Sequence, residues 1–313
     1  MKKYFLQSLL AIVSSSCFAQ QHSKQRPFWT AEILLSSSTF LSDLGSKNFY
    51  GSNDMRDIDF KNTRYALGTG ISYNYARGFS FGLNAFYTRL SADDGETTWD
   101  RSYRNLHVRT DLIEAAFKLE YTVPQNSGLL RGFYINAGSG IAFFTPKAEV
   151  NGIWYDLRSL GTEGQLVDPF QIPYPKFSLI IPFGVGKKFY LPNGITLGIG
   201  LSMRKSFTDY LDDVSGSYFD NDLIRAKSGG IAAYLADPSE GEGGVGTTGG
   251  IRGNPKNNDN YFLTGFKIEI PLGMSRGGNF NTSCSFGGSW INKNGSLPKI
   301  RKGGKKSKIK LFK

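Results

Sequence analysis

The sequence predicts an all-β chain closed into an eight-stranded antiparallel β-barrel. Three observations predict it. Eight segments alternate apolar residues with small, polar or charged ones, as strands between two unlike solvents do. The connections between them are short and long by turns. No apolar run reaches the roughly 18 residues of a membrane-crossing helix. A chain of 313 residues with 38 Gly and 14% aromatic residues fits many short strands better than a helical membrane protein.

The chain opens with Lys2 and Lys3, an apolar run from Tyr4 to Val13 and small residues up to Ala19. This is the pattern of a cleaved signal peptide, so residues 1–19 are expected to be removed and the mature chain exported. Lipidation at Cys17 is an alternative, although Ser14 stands where an aliphatic residue would be wanted. After cleavage at Ala19 only Cys284 remains. No intramolecular disulfide is expected, and strand pairing must hold the fold.

The first segment sets Trp29, Ala31, Ile33 and Leu35 against Thr30, Glu32 and Ser36. The second and third, joined by the turn Ala76-Arg-Gly78, put Tyr65, Leu67, Ile71, Tyr73 and then Phe79, Phe81, Leu83, Tyr87 on one face. The fourth opposes Ile113, Phe117, Leu119 and Tyr121 to Glu114, Lys118 and Glu120. The fifth opposes Phe133, Ile135, Ile141 and Phe143 to Asn136, Gly138 and Gly140. The sixth and seventh form a hairpin about Leu191-Pro-Asn-Gly194: Leu179, Ile181, Phe183 and Val185 lead in, and Leu197, Ile199, Leu201 and Met203 lead out opposite Gly198, Gly200, Ser202 and Arg204. The eighth places Phe262, Phe266, Ile268 and Ile270 against Lys267 and Glu269.

Short connections fall at 76–78, about 122–130 and 191–194, and long ones at about 41–62, 91–104, 146–175 and 206–259. Outer-membrane barrels have this asymmetry, with short periplasmic turns, long external loops and both termini in the periplasm. Trp29, Tyr75, Phe79, Tyr121, Phe133 and Phe189 cluster at the short-turn ends, as an interfacial girdle would. Glu32, Glu114, Lys118, Glu120, Arg204, Lys267 and Glu269 all share the non-apolar face. In a soluble sandwich that face would meet water. In an eight-stranded barrel it is an interior that side chains fill, where opposite charges pair and a diffusion pore has no room. Lys187 is the one charge on the apolar face, at a short-turn end where it can snorkel.

Three stretches carry a family resemblance: FLSDLG (Phe40 to Gly45), RKSFTDYLDDVSGSY (Arg204 to Tyr218) and RGNPKNNDNYF (Arg252 to Phe262). With Phe207, Thr208, Asp209, Tyr210, Asp212 and Asp213 at its centre, the set resembles the PorG-type outer-membrane barrels of the type IX secretion and gliding machinery. The resemblance runs from about Trp29 to Leu272. It implies a barrel that anchors or helps assemble the periplasmic ring, with the ring lipoprotein and its partner as neighbours.

The domain plan is then a signal peptide (1–19), a barrel in outer-membrane lipid (20–272) and a basic periplasmic extension (273–313). The extension holds ten Lys and Arg residues and no Asp or Glu, while the whole chain is +11, so the excess charge is local to it. Arg301, Lys302, Lys305, Lys306, Lys308 and Lys310 are the candidate partner-binding residues. Such a run is either a solvated arm or a handle for acidic protein or anionic lipid. Nucleic acid is not expected as a partner of an exported chain.

No cofactor, metal or catalytic site is expected. Gly244-Val-Gly246-Thr-Thr-Gly249 matches a dinucleotide fingerprint but lacks the strand before it and the helix after it, and reads as a flexible loop segment. Asp209, Asp212 and Asp213 are oxygen donors for calcium, or more simply acceptors within a structured loop. His22 and His107 form no metal pair and no catalytic triad, and the carboxylates Asp93, Asp94 and Glu96 have no partnered His. The alternative function is a surface-facing barrel whose long loops bind a ligand or act on lipid or peptide.

Overall fold

The computed structural model describes residues 27–44, 61–76, 78–96, 103–124, 127–191, 194–239, 241 and 245–272. The signal peptide and the basic extension, with Arg301, Lys302, Lys305, Lys306, Lys308 and Lys310, lie outside the described residues. Among the described residues nine strands form: β1 (Phe28–Leu41), β2 (Arg64–Ala76), β3 (Phe79–Asp93), β4 (His107–Thr122), β5 (Phe133–Val150), β6 (Ile153–Asp156), β7 (Phe177–Tyr190), β8 (Thr196–Ser206) and β9 (Asn260–Pro271).

Every pairing is antiparallel, β1 pairs with both β2 and β9, and β4 pairs with β5, so the sheet closes. The four-residue β6 only extends β5 as a hairpin, leaving β1–β5 and β7–β9 as the eight barrel strands. Closure removes the edges, so each strand satisfies its backbone on both sides without water. The ladder between β5 and β7 skips from Ala137↔Phe183 to Gly140↔Ile180, beside Pro182, which has no N–H to give.

The apolar faces point outward. Ile33, Leu67, Leu83, Ile113, Ile135, Leu179, Val185, Ile199 and Phe266 are each 44–62% exposed, whereas Glu32, Glu114, Glu120 and Arg204 on the opposite faces are buried in the lumen. Tyr134 crosses that lumen against two glycines: a Cβ at Gly200 or Gly186 would collide with its ring or hydroxyl. Small residues on neighbouring strands thus make room for one large one.

Near the long-loop end the polarity of the two faces exchanges. On β3, outward Phe79, Phe81, Leu83 and Tyr87 give way to Arg89, and inward Ser80 and Asn84 give way to Leu90 and Ala92. On β4, outward Ile113 is followed toward that end by Asp111 and Arg109, and inward Glu114 by Leu112 and Val108. The outward apolar run from Phe79 to Tyr87 covers nine residues, about what a tilted strand needs to cross a bilayer.

The barrel continues past this exchange into a folded cap. Where long connections were expected at 91–104 and 146–175, β3 runs to Asp93 and β5 to Val150 before β6 and a helical turn, α1 (Leu157–Leu160). The expected loop 206–259 holds α2 (Asn221–Ser228) and α3 (Gly230–Ala236). Asp220 caps α2 by accepting from Asp222 N and Leu223 N. Leu90, Leu112, Phe144 and Tyr261 in the upper lumen join Leu211, Val214 and Leu235 of the cap in one buried cluster. Ile224, Ala232, Ala233 and Ala236 form a second cluster between α2 and α3.

Candidate functional site

Two buried polar networks and one outward-facing charged rung stand apart from the apolar framework. The lumenal network takes in all seven residues that alternation assigns to the interior. Glu120 receives Lys188 Nζ at 2.5 Å and Lys267 Nζ at 2.8 Å, with Lys118 Nζ at 3.7 Å. Glu32 pairs with Lys118 at 2.8 Å and accepts from Asn84 Nδ2 at 2.8 Å. Glu269 binds Lys188 and Lys267, each at 2.8 Å. Glu114 accepts from Arg204 Nη2 at 3.1 Å and from the Tyr261 hydroxyl at 2.5 Å.

Lys188 is the member that the sequence reading left out. It lies on the same alternation as Ser178, Gly184 and Gly186, which was signal enough, and it brings the lumen to four acids against four bases. Lys187 points the other way and lies 4.7 Å from the centre of the Phe133 ring. Between the layers is a cavity of about 80 Å³ lined by Glu114, Tyr134 and Arg204 among others. That volume suits a few waters, which need polar partners, rather than a passing solute.

The cap is built around two buried arginines. Arg104 grips Asp94 with Nε at 2.5 Å and Nη2 at 2.8 Å, and donates to the carbonyls of Arg252 and Asp43. Arg252 Nη1 meets Glu163 Oε1 at 2.9 Å and donates to the Asp213 carbonyl. The three stretches that carry the family resemblance meet here: Asp43 of the first accepts from Asn254 N of the third, and Asp259 of the third accepts from Leu211 N of the second at 2.8 Å. Arg252 enters the sequence reading only as the first residue of a motif stretch, because its partner Glu163 lies 89 residues away, and Arg104 carries no local signal although Asp94 is ten residues away.

Within the motif, Phe207 is half exposed, Thr208 Oγ1 accepts from Tyr210 N, and the Tyr210 ring stacks on Tyr174 at 4.4 Å. Asp213 adopts a left-handed backbone, φ 64°, which Asp tolerates better than most residues. Its carboxylate accepts from Thr162 and, at 2.5 Å, from the Tyr174 hydroxyl. Asp212 Oδ1 accepts from Val214 N at 2.9 Å, an Asx turn. Among the described residues no three His, Cys, Asp or Glu side chains are set to hold a metal ion.

The cap is instead rich in protons. Burial, reinforced by the Asp212 and Asp43 charges, pushes Asp209 up to about 9. Burial and the Asp43 charge push Asp212 up to about 8. Burial raises Asp213 only to about 6, because Arg252 opposes it. Asp259 is also raised, by burial and by Asp212, Asp209 and Asp43. The carboxylates outnumber the two arginines, so low-dielectric repulsion is relieved by protonation.

Of the other residues, Asp93 Oδ1 accepts from Gly95 N, and the Glu96 side chain lies outside the described residues. Gly244 is also outside them, and Gly246 and Gly249 hold left-handed turns. Gly249 N donates to Tyr218 O at 2.8 Å and Ile251 bridges to Ser217, so this part is tied to the cap rather than loose as the sequence suggested.

On the outer surface, just beyond the apolar belt, Arg89, Arg109 and Lys147 surround Asp111. Sequence reading missed them because the strands were ended at the last outward apolar residues, Tyr87, Ile113 and Phe143.

No family model and no curated protein matches the chain. Among solved structures it is similar to Neisserial surface protein A, at 10% identity over 79% of this chain and 99% of that one, with a TM-score of 0.34. It is similar also to Ail, the attachment invasion locus protein of Yersinia pestis (8% identity, 79% and 100%, TM-score 0.36), and to the outer membrane protein AlkL (13%, 82% and 95%, TM-score 0.35). These likenesses are weak, and the closed eight-stranded antiparallel barrel stands on its own strand pairing.

Proposed function

We propose that the chain is a non-enzymatic outer-membrane barrel that anchors or helps assemble a periplasmic secretion ring. The observation that carries the membrane part is an inside-out distribution: an outward apolar belt on every barrel strand around a lumen of four acids paired with four bases. A filled lumen supports a scaffold over a conduit. The ring role draws on the resemblance of the three motif stretches to PorG-type barrels, and the extension with its ten basic residues supplies a handle on the side of the short turns. In this reading both ends and the short turns are periplasmic and the cap faces outside.

The test is affinity purification from native membranes of full-length protein and of a form lacking Leu297–Lys313, at matched barrel levels. A stoichiometric periplasmic partner, weakened by truncation and by salt, is the expected result, since exposed charges are screened beyond about 8–10 Å. Recovery of the barrel without a partner would remove the anchoring role. One observation favours surface binding as a second reading: Phe170 and Ile172 in the cap are 93% and 87% exposed. That reading predicts no stoichiometric periplasmic partner.

A further inference from the structure

The outward rung above the apolar belt is charged in an unbalanced way. Arg109 of β4 and Lys147 of β5 are direct cross-strand partners, and like charges placed opposite each other destabilise a sheet. One rung nearer the belt, Asp111 of β4 is the direct partner of Arg89 of β3. That single carboxylate serves all three cations, at 2.8 Å from Arg89 Nε, 3.1 Å from Lys147 Nζ and 3.9 Å from Arg109 Nη2. Tyr87 also donates to it, at 3.1 Å. Asp156 of β6, the cross-strand partner of Lys147, pairs instead with Lys176 at 3.4 Å, so within 4 Å the three cations share the one carboxylate of Asp111.

Two aromatic rings hold the cations in place. The Arg109 guanidinium lies 3.8 Å from the centre of the Trp154 ring, and Arg89 lies 5.8 Å from that of Tyr65. Arg109 Nε is buried with no hydrogen-bond partner. An unmet donor among three cations that share one carboxylate favours an anion with several acceptor oxygens, although Asp156 Oδ1 nearby is an unmet acceptor.

Its height determines which anion. Arg89 and Asp111 are the first outward residues past Tyr87 and Ile113, and Arg109 and Lys147 lie one outward position further, past Asp111 and Thr145, where the outward surface has changed from apolar to charged. In a bilayer that is the level of the headgroups, where Lys and Arg clusters meet lipid phosphates. We propose that Arg89, Arg109 and Lys147 form a binding site for the phosphate of a lipid headgroup in the leaflet at the cap end. Arg109, held against the Trp154 ring, supplies the planar donor fork, and Lys147 the point charge. The assignment rests on the membrane-barrel reading above.

The experiment uses full-length protein in detergent micelles, titrated by native mass spectrometry with a phosphorylated glycolipid, with the same lipid dephosphorylated, and with inorganic phosphate. Wild type should prefer the phosphorylated lipid, and Arg109→Gln and Lys147→Gln should each weaken binding about fivefold, roughly 1 kcal/mol per charge. Lys187→Gln, at the opposite rim, should leave it unchanged.

Equal binding of the phosphorylated and dephosphorylated lipids by wild type would overturn the proposal, whether or not the variants assemble. So would unchanged binding by assembled variants, or an equal loss in Lys187→Gln. Displacement of the lipid by equimolar inorganic phosphate would overturn the lipid assignment in favour of a free anion. Failure of the protein to fractionate with outer membranes would instead remove the membrane reading, since the micelle titration measures the rung independently of location.

Discussion

Replacing Glu120 by Gln tests the filled lumen most directly. Glu120 is 1% exposed and has three ammonium groups within 3.7 Å. Gln keeps the shape but removes the charge, leaving four lumenal bases against Glu32, Glu114 and Glu269. Breaking a buried pair by removing one partner costs about 3–5 kcal/mol, because the remaining charge stays out of water. The same change on a solvated sheet face would cost roughly 0–1 kcal/mol. The two cases differ by about 2 kcal/mol or more, roughly one and a half decades in the unfolding equilibrium, well within the reach of urea titration in lipid vesicles followed by tryptophan fluorescence and heat-modifiable gel mobility. Lys188→Met in the Glu120→Gln background should recover part of the loss, since it leaves three lumenal bases against three acids and Glu269 keeps Lys267. A Glu120→Gln cost under about 1 kcal/mol, or no recovery in the double variant, would mean that water reaches these lysines and that the lumen is not a plug.

Ile199, 45% exposed on β8, should face lipid, so Ile199→Arg is expected to cost roughly 2–4 kcal/mol and to impair assembly; normal gel mobility and urea midpoint would place that face elsewhere. Asp209 and Asp212 hold protons in the folded cap up to about 9 and about 8, whereas an unfolded Asp releases its proton near ~3.9. Their contribution to cap stability is therefore fully present below about pH 4 and is lost as the pH rises through 8–9. Hydrogen exchange at Leu211 and Val214, corrected for its intrinsic pH dependence, should accelerate over that window; a flat corrected rate from pH 6 to 9 would contradict it. An epitope tag at Gly246 should be labelled on intact cells and one after Lys313 should not, and reversed labelling would overturn the proposed orientation.

The lumen was legible in the sequence because alternation is a local signal. Glu114, Lys118 and Glu120 on one strand, or Lys267 and Glu269 on another, announce an interior face without reference to any partner. Lys188 was passed over beside Lys187, though the two point to opposite sides, as successive strand residues must. The cap was not legible in the same way. Arg104 and Asp94 are ten residues apart, but Arg252 and Glu163 are 89 apart and Asp43 and Asn254 are 211 apart. No periodicity encodes such pairs. The motif stretches stand out as ordered polar segments, yet only the three-dimensional fold brings them together.

The strand ends failed for a more instructive reason. Alternation was followed only while the outward residue was apolar, so Tyr87, Ile113 and Phe143 looked like termini. Beyond them period 2 continues with its sign reversed: Leu90, Leu112 and Phe144 turn inward, and Arg89, Asp111 and Lys147 turn outward. A strand leaving a bilayer must do this if it goes on to support a folded cap, because its surroundings become aqueous while its interior becomes the cap's core. The reversal therefore marks the edge of the apolar belt on the chain itself. Paired charges fill the lumen below that edge, and Leu211, Val214 and Leu235 pack with Leu90, Leu112 and Phe144 above it. A lumen filled in this way directs attention to the surfaces: the short turns, the cap, and the charged rung between cap and belt.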